Sequence, residues 1–404
     1  MRLLIIASAT VCGGAEAYAL TIATAAAQAG WDTHAAFPQS EENVSLRQAL
    51  AANQVFYHRL EITEPLSRGI QAMGDAFLRF KRTRSLLLTL KPDVVLINLP
   101  WADHCLGSLL ACGQLQIPTA VMFHLIPPEK IPLSRSRLRA YAWVRTRQQQ
   151  WLTNSRANCD LLADLFQMPV SALRYIYNGI QLPTLVDPTT RATLRQAVRQ
   201  ELGISASSKV LLTASRLVPQ KGYTNLLAVI PTLLEDYPDI RFVWAGEGEQ
   251  RQELHDRLQA AAIADKVLLL GHRSDLPRLL QAADLFVFPT RFEGHPFALL
   301  EAMAYGLSIV TTNASSIPEV MAHQVHGLLC RAGESDELLH SIRWALQHPD
   351  QMQRMAQQAQ QQVQKFDQAM MIDQTLGLLQ TLPLTMQKRA LLNPGMKLSN
   401  PPSP

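Results

Sequence analysis

The sequence contains no apolar run approaching 18 residues, no C-x-x-C pair and no D-x-D triplet. The first absence argues against a membrane-spanning helix. Five cysteines, Cys12, Cys105, Cys112, Cys159 and Cys330, are scattered and odd in number. Neither a disulfide framework nor a zinc site is expected from them, and a reducing cytoplasm fits better. Without D-x-D there is no motif for a metal-bridged diphosphate, and no metal is expected. The net charge of +4 over 404 residues is too slight to mark a nucleic-acid binder. Charged residues are only 17% against 48% hydrophobic, which supplies buried cores and excludes global disorder.

At about 100–200 residues per domain the length suggests two domains. Met1–Ala9 has one arginine and a short apolar stretch, and it reads as a first buried strand rather than a signal peptide, because Gly13-Gly14 and an Ala-rich helix follow at once. Strands are expected at Leu3–Ala7, Thr33–Phe37, Val94–Ile97, Thr119–Phe123 and Trp151–Thr153, with helices such as Glu16–Ala29 and Arg79–Leu90 between them. A break with Asn-Gly, Pro183 and Asp-Pro spans Asn178–Thr190 and reads as a linker. A second series follows at Val210–Ala214, Phe242–Ala245, Val267–Leu269, Leu285–Phe288 and Ile309–Thr311. Alternation of this kind predicts α/β architecture, two Rossmann-like doubly wound parallel sheets. Expected divisions are a first Rossmann-like lobe over 1–180, a second over 181–365, a terminal helix over 366–382 packing back on the first lobe, and a disordered tail over 383–404. The Gln- and Met-rich stretch Asp350–Gln364 reads as an exposed helix.

Two turns have the strand–glycine–helix form that suits a phosphate: Gly13-Gly14 and Gly246-Glu247-Gly248. Unpaired N–H groups at a helix start attract anions, and glycine lets backbone approach closely. Neither turn completes G-x-G-x-x-G, because Arg251 stands at the third position after Gly248. That weakens a dinucleotide oxidoreductase. Relief of backbone strain is the alternative role for these glycines. Arg216 and Lys221 sit in the loop after Val210–Ala214, where two cations could neutralise a pyrophosphate or form an ordinary solvated loop.

The densest feature is the block from Glu293 to Glu301, Glu-Gly-His-Pro-Phe-Ala-Leu-Leu-Glu. Pro296 suits a first helical position and Gly306 a helix stop. Glu301 is flanked by Leu299, Leu300, Ala302 and Met303, so its carboxylate needs a partner or a ligand such as a ribose diol.

Taken in order, Gly13-Gly14-Ala15-Glu16, Phe123-His124, Asn154-Ser155, Asn178-Gly179, Ser215-Arg216 with Lys221-Gly222, Ala245-Gly246-Glu247-Gly248, Leu270-Gly271-His272, Ala283-Asp284 with Pro289, the Glu293–Glu301 block and Ile317-Pro318-Glu319-Val320 resemble the family 4 glycosyltransferases. These are retaining enzymes with the two-lobed GT-B fold, the lobes facing a cleft. The resemblance runs from about Leu3 to about Gln364. It implies a nucleotide-sugar co-substrate (UDP-, GDP- or ADP-sugar), no other cofactor, and a glycan or lipid-linked acceptor in polysaccharide or glycolipid synthesis. By it, Arg216 and Lys221 hold the diphosphate and Glu301 the ribose. Glu293, Gly294 and the backbone amides of His295, Pro296 being without one, Phe297 and Ala298 hold the sugar. His124 reaches the sugar or its phosphate, Gly14 and Gly246 allow close approach to phosphates, and Gly271, His272 and Arg273 form the base pocket. His124, Arg216, Lys221 and Glu293 are the implied catalytic set. One departure is Ser315-Ser316, where members often carry Gly-Gly.

Transfer with retention implies an oxocarbenium-like ion attacked from the face the diphosphate leaves; a covalent intermediate on Glu293 is the alternative. An epimerase of the same fold and a non-catalytic binding subunit are the competing functions. Lys130, Arg135, Arg137, Arg139, Arg145 and Arg147, interleaved with apolar residues, suit either a solvated helix face or peripheral contact with an anionic membrane, at its cytoplasmic side. Arg79, Lys81, Arg82 and Arg84 form a second basic cluster beside Phe77, Leu78 and Phe80.

Overall fold

A computed structural model describes residues 1–8, 13–63, 70–129, 131–184 and 186–392. Cys12, Lys130 and the stretch 393–404 lie outside the described residues. The chain divides into two compact units. The first takes in residues up to Asn154, Asn158–Ile176 and the C-terminal helix from Met371; the second holds Ser155–Ala157 and Tyr177–Met370.

The first unit is built on a parallel sheet of β1 (Arg2–Ala7), β2 (Asp32–Phe37), β3 (Phe56–Arg59), β4 (Val94–Leu99), β5 (Thr119–Phe123), β6 (Gln149–Thr153) and β7 (Arg174–Tyr175). Their order across the sheet is β3-β2-β1-β4-β5-β6-β7. The second unit carries β8 (Lys209–Ala214), β9 (Ile240–Ala245), β10 (Val267–Gly271), β11 (Leu285–Phe288), β12 (Ser308–Thr312) and β13 (Leu328–Cys330), in the order β10-β9-β8-β11-β12-β13. Both are doubly wound sheets. In each the order reverses beside the first strand, between β1 and β4 and between β8 and β11. Ligands of open α/β sheets bind outside the carboxyl ends of strands at such a switch point.

The apolar runs read as strands because both faces of each sheet are covered. In the second unit Val210, Leu212, Phe286 and Phe288 pack into one core, while their alternating neighbours Leu211, Leu285 and Val287 pack into another with Phe242 and Trp244. Three strands were not expected from the sequence: β3, β7 and β13. Phe56 of β3 is 60% exposed and both residues of β7 are exposed, so neither presents a buried apolar run, while β13 is buried but only three residues long.

Several boundaries are corrected. The expected linker over 178–190 already contains the start of a helix, Pro188–Glu201, capped by Asp187, whose side chain accepts from Thr189 N and Thr190 N. Helix Pro349–Gln362 is not exposed all round: Met352, Met355, Ala356 and Ala359 recur at helical spacing and bury one face. The terminal helix runs Gln368–Leu392, so residues 383–392 are helix and not tail. Leu, Met, Gln and Ala after Pro383 are good helix formers and outweigh that one proline. Tyr18 anchors this helix, its hydroxyl 3.1 Å from Thr375 Oγ1 in a buried contact. Among the described residues no helix is long and apolar enough to cross a membrane.

Candidate active site

The loop after β8 and the loop after β11 leave adjacent strands at the switch point of the second sheet. They are clamped together. Gly222 has φ +70°, and a Cβ there would stand 1.9 Å from the carbonyl oxygen of Pro289, so the first loop touches the second through bare backbone. Arg291 N donates to Gln220 O (2.8 Å), Gln220 Nε2 donates to Phe292 O (2.6 Å), and Thr290 Oγ1 donates to Gln220 O (3.2 Å).

This clamp sets Lys221 against Glu293. Lys221 Nζ donates to Glu293 Oε1 at 2.5 Å, and Thr290 Oγ1 donates to the same oxygen at 2.7 Å. The pair is largely buried, with side-chain exposures of 12% and 6%. Lys221 Nζ also lies 5.4 Å from the centre of the Phe288 ring, within cation–π reach. Arg216, by contrast, is exposed and has no side-chain partner among the described residues.

The turn Gly246-Glu247-Gly248 serves this same loop. A Cβ on Gly246 (φ +155°) would stand 1.9 Å from Ser215 O. Leu217 N donates to Glu247 O at 2.8 Å, and Gln250 N donates to Leu217 O at 2.9 Å. Gly246 thus approaches the backbone of the Arg216 loop closely. Gly271 (φ +73°) ends β10 and accepts from Gly246 N at 2.8 Å. His272 beside it is exposed, while Arg273 is held by Asp275 (2.7 Å) and Glu201 (2.9 Å).

Helix Phe297–Ala304 starts after Pro296 and carries Glu301. Half-buried on an apolar helix, Glu301 has no side-chain partner among the described residues. Burial pushes its carboxyl up to about 7. Gly294 and Pro296 are buried, Phe297 and Ala298 partly so. His295 is 3% exposed, and neither ring nitrogen has a hydrogen-bond partner among the described residues. Its ring stacks on Tyr177 (4.9 Å between centroids) and meets Phe366 edge-on (5.0 Å), and its carbonyl accepts from Asn178 Nδ2 at 2.7 Å. Burial lowers the imidazole to about 3.

In the first unit the switch point is furnished by helix Gly14–Gln28 after β1, by Asn98 on β4 and by His124 just past β5. Asn98 Nδ2 donates to Ala15 O (2.9 Å), which turns its Oδ1 toward His124 Nε2 at 2.7 Å. Since that oxygen can only accept, His124 is the Nε2–H tautomer and its Nδ1 keeps a lone pair. Burial holds it neutral, lowered to about 3.

Two family models match the chain: residues 195–362 match glycosyl transferases group 1, and residues 12–182 match glycosyltransferase family 4. The chain belongs to the family 4 glycosyltransferases. It is 22% identical, over 91% of its own length and 96% of the other's, to an uncharacterized glycosyltransferase of Haemophilus influenzae. A second uncharacterized glycosyltransferase, from Methanocaldococcus jannaschii, is 29% identical over 199 residues, 49% of this chain and about half (50%) of that one. The Anabaena protein HepE, solved in complex with UDP-glucose, superposes with a TM-score of 0.77 over 94% of this chain and 100% of its own, at 22% identity. The fold of this glycosyltransferase is GT-B.

Some of its site residues were missed from the sequence. Thr290 and Asn98 bind the expected carboxylate and imidazole, yet each is an ordinary polar residue at a strand end. Tyr177 and Glu319 were the nearest to legible: Glu319 accepts from Arg156 N (2.9 Å), Ala157 N (2.8 Å) and Tyr177 Oη (2.9 Å). Among the described residues no group of three His, Cys, Asp or Glu side chains is placed to hold a metal.

Proposed function

We propose that the protein is a retaining, metal-independent transferase that moves a sugar from a nucleoside-diphosphate sugar to a glycan or lipid-linked acceptor. The observation that carries this is Glu301, a half-buried carboxylate with no side-chain partner among the described residues. A pair of ribose hydroxyls supplies the two donors such a group needs. Arg216, exposed on the same loop as Lys221, neutralises the diphosphate as the glycosidic bond opens. Losing one such electrostatic contact typically costs about 10²–10³ in turnover.

Lys221 and Thr290 both draw on Glu293 Oε1. An oxygen so engaged is a poor nucleophile, which favours a positioning role for Glu293 at the sugar, with the amides of His295, Phe297 and Ala298. The acceptor then attacks from the face the diphosphate leaves: its oxygen bonds to the anomeric carbon, the bond to the diphosphate oxygen breaks, and a phosphate oxygen takes the proton. His124 with a free Nδ1 lone pair suits a sugar hydroxyl and not a phosphate. Gly271, His272 and Arg273 are proposed at the base and Gly14 at the phosphates. HepE has been solved with UDP and with UDP-glucose, which favours a uridine donor among the UDP-, GDP- and ADP-sugars. Cys105, Cys112, Cys159 and Cys330 are buried.

Thermal shift against nucleoside diphosphates and their sugars tests the reading. At 100 times the dissociation constant a donor adds about 2.7 kcal/mol. One nucleotide family should stabilise the wild type and fail with Arg216→Ala and with Glu301→Ala. A shift with NAD and none with any nucleotide sugar would overturn the proposal.

A further inference from the structure

Strand β4 is buried throughout and apolar save for Asn98, which is 0% exposed. A buried amide costs free energy unless its groups are paired, and an aliphatic residue in a central strand would not incur that cost. The two hydrogen bonds of Asn98 join different elements. Its Nδ2 donates to the carbonyl of Ala15, which stands next to Gly14 in the first turn of helix Gly14–Gln28. Its Oδ1 faces His124 Nε2, just past β5.

The other contacts hold the histidine without choosing its tautomer. His124 N donates to Leu99 O (2.9 Å), and its carbonyl accepts from Asn158 Nδ2 (3.2 Å). Tyr18, three residues after Ala15 and so on the same helical face, meets the imidazole edge-on with 4.9 Å between centroids. No second hydrogen bond reaches the ring among the described residues. Asn98 is therefore the group that decides which ring nitrogen carries the proton. It can do so because Ala15 O, which only accepts, commits the amide nitrogen and leaves the amide oxygen for the imidazole.

We propose that Asn98 is a positioning residue: it sets His124 in register with the Gly14 turn and keeps Nδ1 bare, as an acceptor for a ligand hydroxyl. That the hydroxyl belongs to the donor sugar rests on the function proposed above; the tautomer does not.

NMR of protein labelled with 15N-histidine tests the tautomer, the His124 ring being identified by its loss in His124→Gln. Wild type at neutral pH should carry the proton on Nε2 and none on Nδ1. Asn98→Asp still offers an acceptor to Nε2 and should keep the proton there. In Asn98→Leu an Nε2–H would have no acceptor, so the proton should move to Nδ1. A purely structural asparagine would lower the melting temperature on substitution and leave the tautomer as it was. A proton on Nδ1 in wild type, or one that stays on Nε2 in Asn98→Leu, overturns the proposal. Should Asn98→Leu not fold, the wild-type and Asn98→Asp spectra decide it. UDP-glucose analogues with one sugar hydroxyl replaced by fluorine test the ligand, because fluorine cannot donate. One analogue should bind wild type about tenfold more weakly than UDP-glucose, the fold-change of about one hydrogen bond, and Asn98→Leu should lose that distinction. If no analogue's penalty depends on Asn98, the role at the sugar is overturned. Wild type that shows the expected tautomer but binds neither UDP nor UDP-glucose would count against the uridine donor and leave the tautomer assignment standing.

Discussion

Lys221 Nζ and Glu293 Oε1 are 2.5 Å apart, so the cation expected at the diphosphate is bonded to the carboxylate expected at the sugar. The two side chains are 12% and 6% exposed. Removing one partner from such a pair leaves a buried charge uncompensated, at a cost of about 3–5 kcal/mol. Lys221→Ala and Glu293→Ala should each lower the melting temperature of the second unit markedly. The double substitution should cost clearly less than the sum of the two, which a thermodynamic cycle on the three variants reads directly. Additive losses would mean that the two groups act independently.

That pairing marks the limit of what the sequence discloses. Ten strands were legible because burial on both faces demands unbroken apolar runs, as at Val210–Ala214 and Leu285–Phe288. The motif residues were legible because each closes a strand or opens a helix. Lys221 and Glu293 are 72 positions apart in the chain. They meet only because β8 and β11 are neighbours across a chain reversal, and nothing in local spacing says so. The same holds for Gly246, whose backbone closely approaches that of Ser215. The exposed edge strands β3 and β7 gave no apolar signal at all.

Glu301 gives the second unit a pH dependence of defined sign. Its carboxyl is raised from 4.5 to about 7 by burial. Between these values the folded state keeps a proton that the unfolded chain releases, so stability is full below about pH 4.5 and is lost as pH rises to about 7. Each pH unit crossed in that window removes at most about 1.4 kcal/mol, and less because the group is partly exposed to solvent. Glu301→Gln should therefore melt higher than wild type at pH 8 and alike at pH 4.5. A Tm difference that does not vary with pH would place the carboxylate in solvent.

His295 runs the opposite way. Its imidazole is lowered from 6.5 to about 3 because the ring is buried between Tyr177 and Phe366. The unfolded chain binds the proton over that window and the folded state does not, so stability is full above about pH 6.5 and falls as pH drops toward 3. His124 adds a loss of the same sign in the first unit, also lowered to about 3. His295→Phe keeps the stack and removes two ring nitrogens that lack partners, each a buried polar group costing about 1–3 kcal/mol. The variant should be more stable than wild type at neutral pH, and its advantage should widen on acidification to pH 5. An advantage that shrinks on acidification would mean that the buried ring is charged.

Ser315 has φ +44°, a left-handed conformation that costs a non-glycine residue about 1–2 kcal/mol. It sits where members of the family often carry glycine, just before helix Ile317–Val320, and the neighbouring Ser316 is fully buried with its hydroxyl unpartnered. The serine therefore holds a backbone shape made for glycine. Ser315→Gly removes the Cβ that strains that shape, at the expense of somewhat greater freedom in the unfolded chain. The net expectation is a gain of about 1 kcal/mol, or roughly 2–4 °C in the melting temperature of a unit of this size. Ser315→Ala, which keeps the Cβ and removes only the hydroxyl, should show no such gain. If alanine stabilises as much as glycine, the hydroxyl and not the backbone angle is the source of the strain, and the loop is shaped by its polar contacts instead.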